Sequence, residues 1–281
     1  MVSISPPYSK TLLVAVPVVV FDIETIPDPQ AVRAAGLADP GLDDAATIAQ
    51  AQNRRKEQTG SDFLPIVCQR VVVISCLFRD PVKGLKVHSF VDRGGQEGVV
   101  VQGFFRLIDK FEPQLVSWNG GGFDLPVLHY RGLVHGVQAS KYWDLGEDDR
   151  EFKWNNYISR YHHRHLDLMD LLALYQPRAN AGMDTLAQLC GLPGKLGMDG
   201  SQVYGAWLQG EGDAVRRYCE TDVLNTYLLF CRFQLMRGAF NPNTYADEIQ
   251  LVRTTLAEWA PEEPHWAEYL QAWSNPGSTN R

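Results

Sequence analysis

Apolar residues fill positions 18–21 (Val-Val-Val-Phe) without a break, and the run meets Asp22-Ile23-Glu24-Thr25. A short unbroken apolar run suits a buried strand, which predicts a strand over 18–22. Ile26-Pro27-Asp28-Pro29 then reads as a rigid turn. Residues 31–61 are rich in Ala, Gln and charge with no strong apolar stripe, so one or two exposed helices are expected there, an inserted flap over about 28–64. Residues 65–78 and 85–91 are β-rich and flank Arg79-Asp80-Pro81-Val82-Lys83-Gly84, the pattern of a hairpin. Residues 98–111 show helical spacing, with Val99, Phe104, Leu107, Ile108 and Phe111 expected inward. A short strand over 114–118 leads through Asn119-Gly120-Gly121-Gly122-Phe123-Asp124 into a helix over 125–132. A polar, aromatic loop fills 142–165, a short strand covers 165–168, and helices follow at 170–175, 182–190, 201–208 and 213–236. Strands first, then alternation, then helices predict one α/β domain with a mixed central sheet. Its core is expected over about 17–236, with a helical tail over 237–281.

Composition narrows the class without naming it. Hydrophobic residues make up 45% and charged residues 21%, ordinary for a globular chain. The formal charge of -7 argues against a protein that coats duplex nucleic acid. It does not exclude an enzyme that meets phosphate locally, because net charge says little about a cleft. Five cysteines with no C-x-x-C pair read as core or free thiols of a reducing compartment. The apolar run over 11–21 follows Pro6-Pro7 and Lys10, and it faintly resembles a secretory core. Asp22 and Glu24 stand where small cleavage residues would be, so a strand is the better reading and a cytoplasmic protein with no membrane partner is expected.

The chemistry starts from Asp22 and Glu24. At spacing i, i+2 in an extended chain, both side chains lie on one face. Two adjacent carboxylates repel and resist desolvation unless a metal ion, an Arg or Lys, or open solvent relieves them. On the last long helix Tyr218 and Asp222 share a face at i, i+4, where a carboxylate among apolar neighbours must be paired or hold a metal. Asp124 follows three glycines at a helix entry, a place that suits either a cap or a ligand. Four carboxylates at the junctions of a mixed sheet suit hard divalent cations, Mg2+ or Mn2+. Two such ions match four carboxylates in charge, the arrangement for two-metal phosphodiester hydrolysis.

Together these motifs resemble the stand-alone predicted 3'-5' exonucleases related to the proofreading domain of family B DNA polymerases. D-x-E falls on Asp22 and Glu24, the Asn–aromatic–Asp motif on Asn119, Phe123 and Asp124, and Y-x-x-x-D on Tyr218 and Asp222. Arg217 stands where the histidine branch of these enzymes would carry His, so the tyrosine (DEDDy) branch is implied. The resemblance spans about residues 17–236 and implies a ribonuclease-H-like fold. It implies that Asp22, Glu24, Asp124 and Asp222 hold two metal ions and that Tyr218 orients the attacking water. Thr25, Ile26, Trp118, Asn119 and Phe123 are the implied substrate contacts. The implied reaction releases nucleoside 5'-monophosphates from a single-stranded 3' end. DNA is favoured over RNA, and replication or repair proteins are the expected partners. An oligoribonuclease-like or small-nucleotide phosphohydrolase, or a non-catalytic nucleic-acid-binding protein on the same fold, are the alternatives.

Other polar groups have plainer readings. Asp167 and Asp170 are either helix caps or a further acidic pair near the site. His162, His163 and His165 suit a polar surface better than zinc. Lys141, Lys153, Arg160 and Arg164 interleave with Tyr142, Trp143, Trp154, Tyr157 and Tyr161, a pattern suited to stacked bases and phosphates or to an ordinary loop. Arg54, Arg55 and Lys56 read as a solvated helix face.

Overall fold

A computed structural model describes residues 16–274. Pro6, Pro7, Lys10 and residues 11–15 of the run that resembles a secretory segment lie outside the described residues. The centre is a mixed five-stranded sheet in the order β3-β2-β1-β4-β5. β1 (Val18–Pro27) pairs antiparallel with β2 (Gln69–Asp80), which pairs antiparallel with β3 (Gly84–Val91). On its other side β1 pairs in parallel with β4 (Gln114–Ser117), and β4 with β5 (His165–Asp167). The expected hairpin and mixed sheet are therefore present.

β1 runs five residues beyond the predicted end, so Asp22 and Glu24 sit inside the strand. The apolar run alone does not mark the end, because Ile23, Ile26 and Pro27 continue the pairing with β2. Val19, Phe21 and Ile23 pack on α3 (Glu97–Phe111) and α4 (Asp124–His135). Val18 and Val20 face α9 (Gly212–Met236), as does Ile26 further along the same stripe. The face toward α9 thus reads Val18, Val20, Asp22, Glu24, Ile26, and the two acids interrupt an apolar stripe. A register shift between Glu24 and Thr25 leaves Val72 of β2 as an extra residue, a bulge beside the acids.

In α3 the inward stripe is Val100, Val101, Phe104, Phe105, Leu107 and Ile108. Val99 is 67% exposed and Phe111 40% exposed, contrary to expectation. The helix begins at Glu97, and the stripe through Val100 and Val101 turns both residues away from the sheet.

α9 is buried around most of its circumference, with the sheet on one side and α10 (Pro242–Trp259) and α11 (His265–Ser274) on the other. Val252, Leu256, Trp266, Tyr269 and Trp273 belong to the same core cluster as Val223 and Leu228. Arg79 also pairs with Glu248 through Nε and Oε1 at 2.6 Å. The helices placed in a tail by sequence are packed into the core.

α1 (Pro29–Ala34) and α2 (Asp44–Thr59) occupy the expected insertion and enclose a small core of Val32, Ile48, Ala51, Leu64 and Cys68. Arg54, Arg55 and Lys56 lie on the solvent side of α2, as expected, and two of them have partners there. Arg54 pairs with Asp39 at 2.7 Å, and Arg55 Nε donates to the Phe63 carbonyl. Behind the insertion, buried Arg131 bridges Asp28 and Glu97. All five cysteines are free thiols. Among the described residues, no helix is long and apolar enough to cross a membrane.

Candidate active site

The acids predicted from sequence converge above the middle of β1. Asp22, Glu24 and Cys219 offer oxygen and sulfur atoms that all lie within 4.8 Å of one another. Asp124 and Asp222 flank this group without joining it at that distance. β4 pairs with β1 only as far as Val20, which leaves the later amides of β1 on that side without a strand partner. The Asp124 carboxylate fills the gap, Oδ1 accepting from the Ile23 amide at 3.1 Å. Asp124 is therefore not the cap of α4; the cap position is Phe123. One of its oxygens fixes the strand, and the buried carboxyl stays beside Asp22.

The electrostatics of this group are one-sided. Burial raises the Asp22 carboxyl well above its ordinary range, and Asp124 and Asp222 raise it further. Burial also raises Glu24, with Asp22 and Asp222 adding to it. Asp124 is pushed up to about 7, mainly by burial. The donor at Asp22 is weak: the Cys219 thiol, 3.6 Å from Oδ2.

Sequence left a metal ion, a basic side chain and solvent as possible counter-charges. Among the described residues the structure supplies one cation, Lys195. Its Nζ lies 2.9 Å from Asp222 Oδ2 and also donates to the Tyr218 hydroxyl. Burial opposes charge on Lys195, but Asp222, Asp22 and Glu24 outweigh it and hold the ammonium above its ordinary value. This one ammonium acts on Asp222, Asp22 and Glu24, while Asp124 adds a fourth carboxyl beside Asp22. Asp222 Oδ1 is buried with no hydrogen-bond partner. A buried acceptor without a donor, beside surplus negative charge, fits a site that binds cations.

Lys195 was missed from sequence because it sits in an irregular Leu192-Pro193-Gly194-Lys195 stretch with no periodicity. The only available signal was the charge imbalance itself. Its loop is well anchored. Asp184 Oδ1 accepts from the Lys195 amide at 2.7 Å, and Asn225 Nδ2 donates to the Gly194 carbonyl at 2.7 Å. Gly194 has φ +74°, and a Cβ there would meet Asp184 Oδ1 at 2.3 Å, so glycine is required.

Tyr218 lies on the face of α9 toward Lys195, as its spacing from Asp222 predicts. Burial, then the charges of Asp222, Glu24 and Asp22, raise its phenol far above the ordinary range. It stays protonated at neutral pH.

The other residues expected to meet substrate divide. Phe123 is half-buried and adjoins Asp124, and Asn119 adopts φ 66°, a left-handed conformation that Asn tolerates. Thr25 is half-buried, and its hydroxyl donates to Gln69 Oε1 at 3.2 Å. Ile26 is buried against Val215, Tyr218 and Cys219, so its side chain packs the wall of the site. Trp118 packs on the core beside α9 with its indole N–H buried and unpartnered.

Asp167 caps α6 (Leu168–Leu172) through Met169 N and also accepts from Asn119 N at 3.0 Å and Gly121 N at 2.8 Å. It latches the glycine loop and adds to the raised pKa of Asp124. Asp167→Ala is expected to cost about 1–3 kcal/mol, a lost cap plus two backbone hydrogen bonds, read as a lower denaturation midpoint. Asp170 faces Arg160, Oδ2 to Nη2 at 3.4 Å.

The aromatic segment before β5 is mixed in role. Tyr142, Phe152 and Tyr157 belong to the core, with Arg164 stacked 3.8 Å from the Phe152 ring centroid. Trp154 and Tyr161 are exposed. His165 Nε2 bonds Ser117 Oγ at 2.8 Å, and burial lowers its pKa to about 4. His162 Nδ1 accepts from Asn156 N at 3.0 Å.

Comparison with known proteins places the chain in a family. The family described as "Predicted 3'-5' exonuclease related to the exonuclease domain of PolB" matches residues 61–273. The chain belongs to that family. The matched span takes in the motifs at Asn119–Asp124 and Tyr218–Asp222, while Asp22 and Glu24 precede it. The chain is also 24% identical over 158 residues to a DNA polymerase of Archaeoglobus fulgidus, covering 54% of this chain and 20% of that protein. The chain thus spans about a fifth of that relative's length.

Proposed function

We propose that this protein is a metal-dependent 3'-5' exonuclease of the DEDDy branch with a ribonuclease-H-like fold. Its substrate is a single-stranded 3' end, DNA favoured, and its products are nucleoside 5'-monophosphates. The observation that carries the reading is the convergence of Asp22, Glu24, Asp124 and Asp222, with the Lys195 ammonium paired to Asp222 and Asp222 Oδ1 buried and unpartnered. The sheet order, with β1 central between an antiparallel hairpin and two parallel strands, supports the fold assignment.

Asp22, Glu24, Asp124 and Asp222 would hold two divalent cations. Bound there, such ions supply Lewis-acid charge at the scissile phosphate and lower the pKa of water. Asp124 keeps its place through the Ile23 amide, and Asp222 keeps its place through Lys195. Tyr218, held protonated, positions water through its hydroxyl and does not serve as base. Lys195 fixes that hydroxyl and adds positive charge beside the site.

The test is a length series of 5'-labelled single-stranded DNA and RNA with Mg2+, Mn2+ or chelator. The expected result is a ladder shortening from the 3' end, abolished by chelator, with nucleoside 5'-monophosphates released. Internal cuts, or activity confined to free nucleotides, would overturn the assignment. A faster ladder on RNA would reverse the substrate preference and leave the chemistry intact.

A further inference from the structure

The insertion between β1 and β2 ends at the site. Residues 60–68 lead from α2 into β2 and are tied to both neighbouring motifs. Gln69 Oε1 accepts from the Thr25 hydroxyl at 3.2 Å, while Gln69 Nε2 donates to the Leu64 carbonyl at 3.1 Å. One residue earlier, Phe63 sets its ring against Phe123, with centroids 5.7 Å apart and planes tilted by 56°. Phe123 directly precedes Asp124.

The chain at Phe63 is held from several sides. Arg55 Nε donates to its carbonyl, and the Ser61 hydroxyl accepts from its amide at 3.2 Å. Leu64, next in sequence, is buried in the small core of the insertion. The Phe63 ring is nevertheless 51% exposed. A lone exposed apolar residue is ordinary and carries no message. This one is fixed in place and extends an aromatic surface whose other ring belongs to the residue before Asp124.

We propose that Phe63 and Phe123 form one platform for the base of the 3'-terminal nucleotide, so that the 28–64 insertion supplies a substrate contact. The proposal rests on the exonuclease reading above. A phosphate held at cations that Asp22, Glu24, Asp124 and Asp222 would bind leaves the attached base to find a wall, and the chain next to Asp124 offers two rings. Stacking on them is tolerant of sequence, because every base has a π-face. It also favours an unpaired end, whose base is free to leave its neighbours.

A cycle between protein ring and substrate base tests this. Two single-stranded oligonucleotides differ only in the last nucleotide, which carries a base or an abasic tetrahydrofuran. The wild-type chain with Mn2+ is expected to cleave the base-bearing end with a kcat/KM roughly five- to a hundredfold higher. Phe63→Ala should shrink that ratio severalfold by slowing only the base-bearing end, and Phe63→Trp should restore it. An unchanged melting temperature separates this from misfolding. If Phe63→Ala slows both substrates equally, or leaves the ratio intact, Phe63 is not a base contact and the platform is overturned. If the wild type cleaves neither end, the exonuclease reading itself fails and the platform falls with it.

Discussion

Asp22→Asn is expected to lose turnover by roughly 100-fold or more, and to melt at a higher temperature than the wild type when no metal is present. The first half follows from its place. Even outer-shell changes at metal sites typically cost 10–100-fold, so loss of a direct carboxylate costs at least the top of that range. The second half follows from the charge imbalance. Half-buried Asp22 and buried Glu24 lie within reach of Asp124 and Asp222, with Lys195 as the nearby cation. Neutralising one carboxylate relieves repulsion that the metal-free fold otherwise carries. For a chain of this size each kcal/mol of relief raises the melting temperature by about 2–4 °C.

The pH dependence has a definite sign. Unfolded carboxyls titrate near pH 4, whereas burial pushes folded Asp124 up to about 7 and Asp22 and Glu24 well above their ordinary range. Over that window the native state holds more protons than the unfolded chain, so these groups destabilise the metal-free fold as pH rises. The gap in melting temperature between Asp22→Asn and the wild type should therefore widen from about pH 4 to about pH 7. Saturating Mn2+ should close it by stabilising only the wild type. A metal-free Asp22→Asn that melts below the wild type at pH 7 would remove the claim that the acids repel one another.

The site was legible from sequence to the extent that local pattern and motif order determine it. The i, i+2 spacing was enough to put Asp22 and Glu24 on one face, because a strand alternates whatever surrounds it. The same holds for Tyr218 and Asp222 at one helical turn. What escaped depends on contacts between distant segments. Lys195 lies in an irregular loop and acquires its role only when Asp184 and Asn225 hold that loop against α9. The use of Asp124 on the Ile23 amide depends on β4 stopping short of it, which no local pattern announces. The last helices read as a tail because their stripes are short; only the apolar outer side of α9 explains why they are buried. Tyr142 and Tyr157 have the composition of a base-stacking loop, and their burial depends on the core they share with Phe105, Leu128 and Phe152.

Lys195→Met is expected to bind Mn2+ more tightly and turn over more slowly, by roughly 10–100-fold at saturating metal. The ammonium and the cations compete for the same negative charge, so removing Lys195 strengthens the attraction between the carboxylates and metal. Turnover should still fall, because Lys195 also positions two groups that a metal does not replace in kind. Its Nζ holds Asp222 Oδ2 at 2.9 Å and donates to the Tyr218 hydroxyl, which it therefore aims. Without metal the variant should be less stable, since the Asp222 side chain is 7% exposed and loses its partner. Breaking a fully buried pair costs about 3–5 kcal/mol. The Lys195 side chain is 34% exposed, and solvent screening reduces the expected cost to about 1–2 kcal/mol. Manganese titration, single-turnover rates and metal-free melting on the same preparation separate these effects. Weaker manganese binding with an unchanged rate at saturation would show that Lys195 serves metal affinity, and the positioning role would be lost.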